Sequence, residues 1–366
     1  MPSLVVQTSF LGDTVLTTPL LEYLAARDVV DVVTTVASAA LLARNPAVRE
    51  VIVYDKRAAD RGVRGFVRMA RALRARRYDV AYLAQGSVRS GALTLAAGIR
   101  RRVGLATSAG RRFYTERVVA PDNDHHAARL LRLAMTRDTD GREPTAAMLR
   151  PRLYPGASER EAVDKLFAAT ESPSSPLVVL APGSVWATKR WPYYPELASY
   201  LAPSARIALV GGVEDRPLAD EIAAATGAQV VDATGRLSLL GSAELIGRGD
   251  VLVTNDSAPL HLASAMGTPT VAIFGPTVPE FGFGPLAPRS RVAGHPELAC
   301  RPCDRHGPQR CPLGHWRCMR EISAEDVATL VQEIVASDLA SPPAPPPPPL
   351  PEPRASAPSP LRPSTN

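Results

Sequence analysis

Residues 251–277 read VLVTNDSAPLHLASAMGTPTVAIFGPT, a pattern of strand, polar turn, helix and strand. Val251–Val253 is a short apolar run, and Asn255, Asp256 and Ser257 make the turn. Pro259 falls in the first turn of the helix, where its missing N–H does no harm. Leu260, Ala263 and Ser264 share one face at helical spacing, and Thr270–Phe274 is a second buried run closed by Gly275-Pro276. Such a turn leaves backbone N–H groups free at a helix N-terminus, a seat for a phosphate or diphosphate. His261 lies in the same first turn. An ordinary βαβ unit with Asp256 as helix cap accounts for the stretch equally well, so the decision rests on the segments around it.

A chain of 366 residues with 45% hydrophobic content has room for two α/β domains. The formal net charge of +6 is unevenly spread: Lys56–Arg77 holds eight arginines and one lysine against one acid, Asp60. Such a run suits phosphates on an acceptor or an anionic membrane face, and equally a solvated helix face. No aromatic pattern interleaves it, which argues against nucleic acid as a partner. Met1-Pro2-Ser3 leads straight into a strand-like run without a basic leader, and no apolar stretch approaches the ~20 residues of a membrane span. A cytoplasmic protein with reduced cysteines is expected.

Apolar runs alternate with helical patterns along the chain, as in parallel sheets covered by helices. Strands are expected at Leu4–Thr8, Asp31–Val36, Val51–Tyr54, Val80–Leu83, Arg102–Leu105 and Arg117–Val119. A second set is expected at Leu177–Leu180, Ile207–Val210, Val230–Asp232, Val251–Val253 and Val271–Phe274. Residues 137–175, rich in Thr, Pro, Asp, Glu and Ser, read as the passage between domains. Val327, Leu330, Val331 and Ile334 form the stripe of a last helix, with Ser323 and Asp326 as its capping box. The proline-rich run beyond it reads as a disordered tail.

Three segments would meet in a cleft between the two halves. After the first strand, Gly12 permits a tight turn and Asp13 opens a helix, either as its cap or as a general base. After the first strand of the second half, Gly183 and Ser184 are followed by Thr188, Lys189 and Arg190, giving backbone and ionic contacts for phosphates. Trp191 reads as core. The third segment is Asp256–His261. Gly211-Gly212-Val213-Glu214-Asp215 adds an acid that can hold a ribose hydroxyl, in a pattern that is not the dinucleotide fingerprint.

Together these segments resemble the lipopolysaccharide heptosyltransferases, family 9 of the glycosyltransferases. The matching pieces are TSFLGDTVLTTPLL (8–21), YDVAYLAQGSVRSGALTLAAGIRRRVG (78–104), APGSVWATKRWP (181–192), TNDSAPLHLASAMGTPTVAIFGPT (254–277) and CPLGH (311–315). TKRWP and CPLGHWRC look most like the type II enzymes. The chain departs from them with Asp256-Ser257-Ala258 where Asp-Ser-Gly is usual, and with Val185-Trp186 where an acid follows the Gly183 loop. The resemblance implies a GT-B architecture, two Rossmann-like doubly wound domains facing an interdomain cleft. It implies an acceptor-binding domain over residues 1–170 and an ADP-sugar domain over 171–322. A helix at 323–337 would pack back on the first domain, and a tail would occupy 338–366.

The resemblance further implies inverting transfer of heptose from ADP-heptose to the inner core of lipopolysaccharide by a monomer that touches the inner membrane face peripherally; the alternatives are another nucleotide-sugar enzyme of GT-B architecture, with a different sugar donor or acting as a 2-epimerase, and a non-catalytic nucleotide-sugar-binding protein. Asp13 would be the base. Lys189, with the N–H groups of Ser257 and Ala258 and with His261, would carry the charge of the leaving diphosphate, without a metal or cofactor. Ser184, Thr188, Asp215 and Asp256 would complete the donor site, and Ser9, Ser87 and Arg89 would meet the acceptor. Cys300, Cys303, Cys311 and Cys318 have spacing that admits a structural zinc as an alternative to a plain cysteine-rich loop.

Overall fold

A computed structural model describes residues 2–136, 143–168, 175–226, 230–295 and 297–339. The first half runs β1 (Pro2–Gln7), α1 (Leu11–Ala25), β2 (Val29–Thr34), α2 (Val36–Leu42), β3 (Glu50–Val53), α3 (Gly62–Ala75), β4 (Val80–Leu83), α4 (Val88–Ala96), β5 (Arg101–Leu105), β6 (Glu116–Val118) and α5 (His126–Met135). Two helices, α6 (Ala146–Leu149) and α7 (Ala157–Phe167), follow. The second half runs β7 (Leu177–Ala181), α8 (Tyr194–Leu201), β8 (Arg206–Leu209), α9 (Arg216–Thr226), β9 (Val230–Asp232), α10 (Leu239–Arg248), β10 (Val251–Asn255), α11 (Ala258–Met266), β11 (Thr270–Phe274), β12 (Arg291–Gly294), α12 (Arg317–Arg320) and α13 (Ala324–Leu339).

Every strand pairing is parallel, with Val5 opposite Val32 and Tyr82 in one sheet and Val253 opposite Leu180 and Val271 in the other. The orders are β3-β2-β1-β4-β5-β6 and β12-β11-β10-β7-β8-β9. Counted within each half, both are the doubly wound order 3-2-1-4-5-6. Its switch point, between the first and fourth strands, opens a crevice at their carboxyl ends. β7, β10 and β11 are buried along their whole length because helices cover both faces of the sheet. The continuous apolar runs seen in the sequence follow from that. β12, with arginine at one end and glycine at the other, carries no such run and was not anticipated.

Two boundaries differ from the expectation. Of the 137–175 passage, residues 137–142 and 169–174 lie outside the described residues. Between them, Leu153 and Val163 share a core with Val179, Leu245 and Ile246, so α7 packs on the second domain rather than the first. The last helix also stays with the second domain. Val327, Val331 and Ile334 of α13 join Tyr194, Leu197 and Leu201 of α8 over β10 and β11, instead of crossing back to the first domain. α8 alone does not cover that face of the sheet, and the α13 stripe fills the remainder. Asp326 N–H donates to Ser323 Oγ at 3.1 Å, as a capping box requires. The proline-rich tail lies outside the described residues.

Candidate active site

The turn after β1 is pinned before it reaches α1. Buried Gln7 donates to Thr17 Oγ1 at 3.0 Å and accepts from the Ser9 N–H at 3.3 Å, while Lys56 Nζ holds the Thr8 carbonyl at 2.8 Å. Asp13 therefore emerges at a fixed place. Ser9 Oγ donates to its Oδ2, and His126 Nε2 stands 3.9 Å from its Oδ1.

The second wall is built by β7 and β10. Asn255, fully buried, donates to the Pro182 carbonyl at 2.8 Å and accepts from the Trp191 N–H at 3.2 Å, locking the 182–191 turn onto β10. That turn delivers Lys189, whose Nζ lies 2.5 Å from Asp256 Oδ2; Thr277 Oγ1 donates to the same oxygen at 2.6 Å. Both members of the ion pair are about nine-tenths buried, so each depends on the other for its charge. Ser257 sits extended before α11, and its buried Oγ has no hydrogen-bond partner among the described residues. Pro259 supplies no N–H, so the open donors of this helix start are Ser257 and Ala258.

The domains meet at the site itself. α1 packs on α11, and a Cβ on Gly12 would lie 2.5 Å from the His261 ring, so only glycine admits this approach. Burial pushes the His261 imidazole down to about 4, against the opposing pull of Asp256 and Asp13. A third wall joins the start of α5 to the 278–284 loop. The His126 N–H donates to the Gly282 carbonyl at 2.7 Å. His125 accepts from the Ala127 N–H through Nδ1 at 3.2 Å, leaving Nε2 to donate to the Gly284 carbonyl at 3.1 Å. Burial lowers His125 to about 4; it lowers His126 too, with Asp13 working against that shift. Phe283 stacks on His126, with ring centroids 5.0 Å apart. At the rim, His306 stands between Phe10 of the first domain and Trp186 of the second.

The enclosed space is about 480 Å³, and it brings together Ser9, Asp13, Ser184, Lys189, Asp256, Ser257, Ala258 and His261 of the expected site. Four expected residues are not in its lining. Thr188 donates to the Pro308 carbonyl, tying the Lys189 turn to the cysteine segment. Asp215 caps its own loop by accepting from the Gly212 N–H at 2.9 Å, and its carboxylate packs behind Gly183. Ser87 caps α4, and Arg89 donates to the Tyr54 hydroxyl at 2.8 Å and the Asp60 carbonyl at 3.2 Å, bracing α3. Trp191 is core, as expected, its indole donating to the Ile322 carbonyl at 2.9 Å.

Among the described residues, no three of His, Cys, Asp and Glu are arranged to hold a metal ion, and Cys300, Cys303, Cys311 and Cys318 are free thiols. Cys318 instead packs in the apolar core under α13, and Cys303 donates to the Cys300 carbonyl. No described helix is long and apolar enough to cross a membrane. His126, Phe283, Arg305 and His306 line the cavity and were missed in the sequence. The His125-His126 pair just before a helical pattern was the one visible signal.

The profile of glycosyltransferase family 9 (heptosyltransferase) matches residues 66–314. The lipopolysaccharide heptosyltransferase 2 of Salmonella typhimurium is 29% identical over 306 residues, 80% of this chain and 87% of that protein. The solved ADP-heptose lipopolysaccharide heptosyltransferase II of Escherichia coli is 25% identical, with a TM-score of 0.73 over 93% of this chain and 100% of that one. A family 9 glycosyltransferase from Veillonella parvula shares the fold at a TM-score of 0.80 and 22% identity, over 92% of this chain and 97% of that one.

Proposed function

Because this chain belongs to glycosyltransferase family 9, the heptosyltransferases of lipopolysaccharide core biosynthesis, we propose that it moves heptose from ADP-heptose to an inner-core acceptor with inversion. The observation that carries this reading is that Asp13 and Lys189, from opposite domains, face one cavity. Asp13, held by Ser9 on one oxygen and neighboured by His126 on the other, takes the proton of the acceptor hydroxyl. That oxygen attacks the anomeric carbon from the face opposite the diphosphate, and the bond to the diphosphate oxygen breaks. A single displacement of this kind inverts the centre, and ADP leaves with the electron pair. Lys189 and the N–H groups of Ser257 and Ala258 meet the charge that builds on the leaving group. Neutral His261 supports them, and Asp215, behind Gly183, suits a ribose hydroxyl. The exposed arginines of α3 suit peripheral contact with the inner face of the cytoplasmic membrane.

The test is ADP release from ADP-heptose with and without heptose-deficient core. Release is expected to depend on the acceptor and to fall by about 10²–10⁴-fold in Asp13→Asn while ADP binding stays intact. The new linkage, read by NMR, is expected to be inverted relative to the donor. Retention, or full activity of Asp13→Asn, refutes the mechanism. No ADP binding refutes the donor.

A further inference from the structure

Ser87 and Arg89 already hold partners within the chain, whereas, among the described residues, other polar groups around the cleft do not. A hollow of about 210 Å³ opens at the ends of β5 and β6, lined by Thr107, Val118 and Asp122 together with His126, Arg129 and Arg305. His126 and Arg305 also line the catalytic cavity, so the two spaces form one groove.

Two arginines from opposite domains converge there. The Arg129 guanidinium donates to the carbonyls of Asp122, at 2.8 Å, and Phe281, at 3.2 Å. Its Nε–H is buried and has no acceptor among the described residues. Arg305 is exposed and makes no ion pair or side-chain hydrogen bond among the described residues. Burial first, and then the Arg305 charge, work against protonation of Arg129. Asp122 and Glu280 share an adjoining hollow with both arginines, yet among the described residues neither carboxylate is ion-paired with either one. A buried donor without an acceptor, beside a second unpaired cation, is the arrangement an anion completes.

The geometry points to an acceptor subsite in which Arg129 and Arg305 hold an anionic group of the acceptor, a phosphate or a carboxylate, while the hydroxyl to be glycosylated reaches Asp13. His126 and Arg129 are one turn apart on α5, roughly 5 Å, and His126 stands 3.9 Å from Asp13. The anion therefore lies about one sugar ring from the reacting hydroxyl. The donor diphosphate has its own partners, Lys189 and the α11 start, on the opposite wall. The assignment rests on the reading of Asp13 as the base facing the acceptor.

Arg305→Gln is the decisive variant, because Arg305 is exposed and no described contact depends on it. Its KM for heptose-deficient core is expected to rise about tenfold, equivalent to about 1.4 kcal/mol, with kcat and the Kd for ADP little changed. Repeating the comparison with enzymatically dephosphorylated core separates the sources: the difference disappears if the anion is a phosphate and persists if it is a carboxylate. Inorganic phosphate titrated calorimetrically into ADP-saturated wild-type protein is expected to bind, and more weakly in Arg305→Gln. If that holds while no sugar is transferred, the acceptor reading falls and the anion site stands. An unchanged acceptor KM overturns the subsite, as does an equal loss of ADP affinity. Where no transfer is detected, absence of phosphate binding overturns it.

Discussion

His125 and His261 are both neutral in the folded protein at pH 7, because burial holds each near 4. In the unfolded chain the same rings titrate near 6.5. Between those values the unfolded state binds more protons, so stability is unaffected above about pH 6.5 and falls as the pH drops toward 4. At pH 5 each ring accounts for about 2 kcal/mol of loss. His125→Gln keeps a polar group at the start of α5 but removes the titration. Its denaturant midpoint is expected to change less between pH 7 and pH 5 than that of the wild type, and an identical pH slope would show that His125 is not buried as a neutral ring. Position 12 is bound up with the same chemistry. Gly12, inside the first turn of α1, is what brings the flank of His261 against that helix and seats a buried imidazole near Asp13.

Among the elements, α3 divides into a buried side and a charged side. Gly65, Met69, Ala70 and Leu73 are buried, whereas Arg64, Arg71 and Arg74 are exposed on its outer side. With each basic residue near an anionic surface worth about 1 kcal/mol, reversing these charges to glutamate is expected to cut sedimentation with vesicles containing phosphatidylglycerol by about two orders of magnitude. Binding to phosphatidylcholine vesicles should not change, and equal sedimentation of variant and wild type on the anionic vesicles would reject the membrane contact. α3 also marks how far the sequence could be read. Period and turn chemistry located every strand except β12, and most helices, because burial on both sheet faces imposes continuous apolar runs. The same logic located Asp13, Lys189 and Asp256, which follow the strand ends at the switch points. The stripe on α13 says that one face is buried but not against what, so its partner domain was misjudged. His126 and Arg305 come from a helix start and an irregular loop whose approach is fixed only by tertiary packing. Ser87 and Arg89 have local partners that the sequence does not show, one capping α4 and the other donating to the Tyr54 hydroxyl.

At the scale of the whole molecule, the two doubly wound halves touch at the cleft and, beyond it, where α1 and α2 pack on α11 and α10. Gly12 meets His261, His126 and His125 bond the 282–284 backbone, and Arg129 reaches Phe281. Any rotation that parts the halves also takes apart the place where donor and acceptor would lie. A molecule bound to one wall gains its remaining contacts only when the other wall is in position, so the first ligand to bind supports the arrangement the second one needs. The consequence is heterotropic cooperativity that must run both ways. Saturating acceptor analogue should tighten ADP binding, ADP should tighten the analogue by the same factor, and calorimetry in both orders measures the pair. A factor of one in each order would mean that the halves keep their relative position whether or not the cleft is filled.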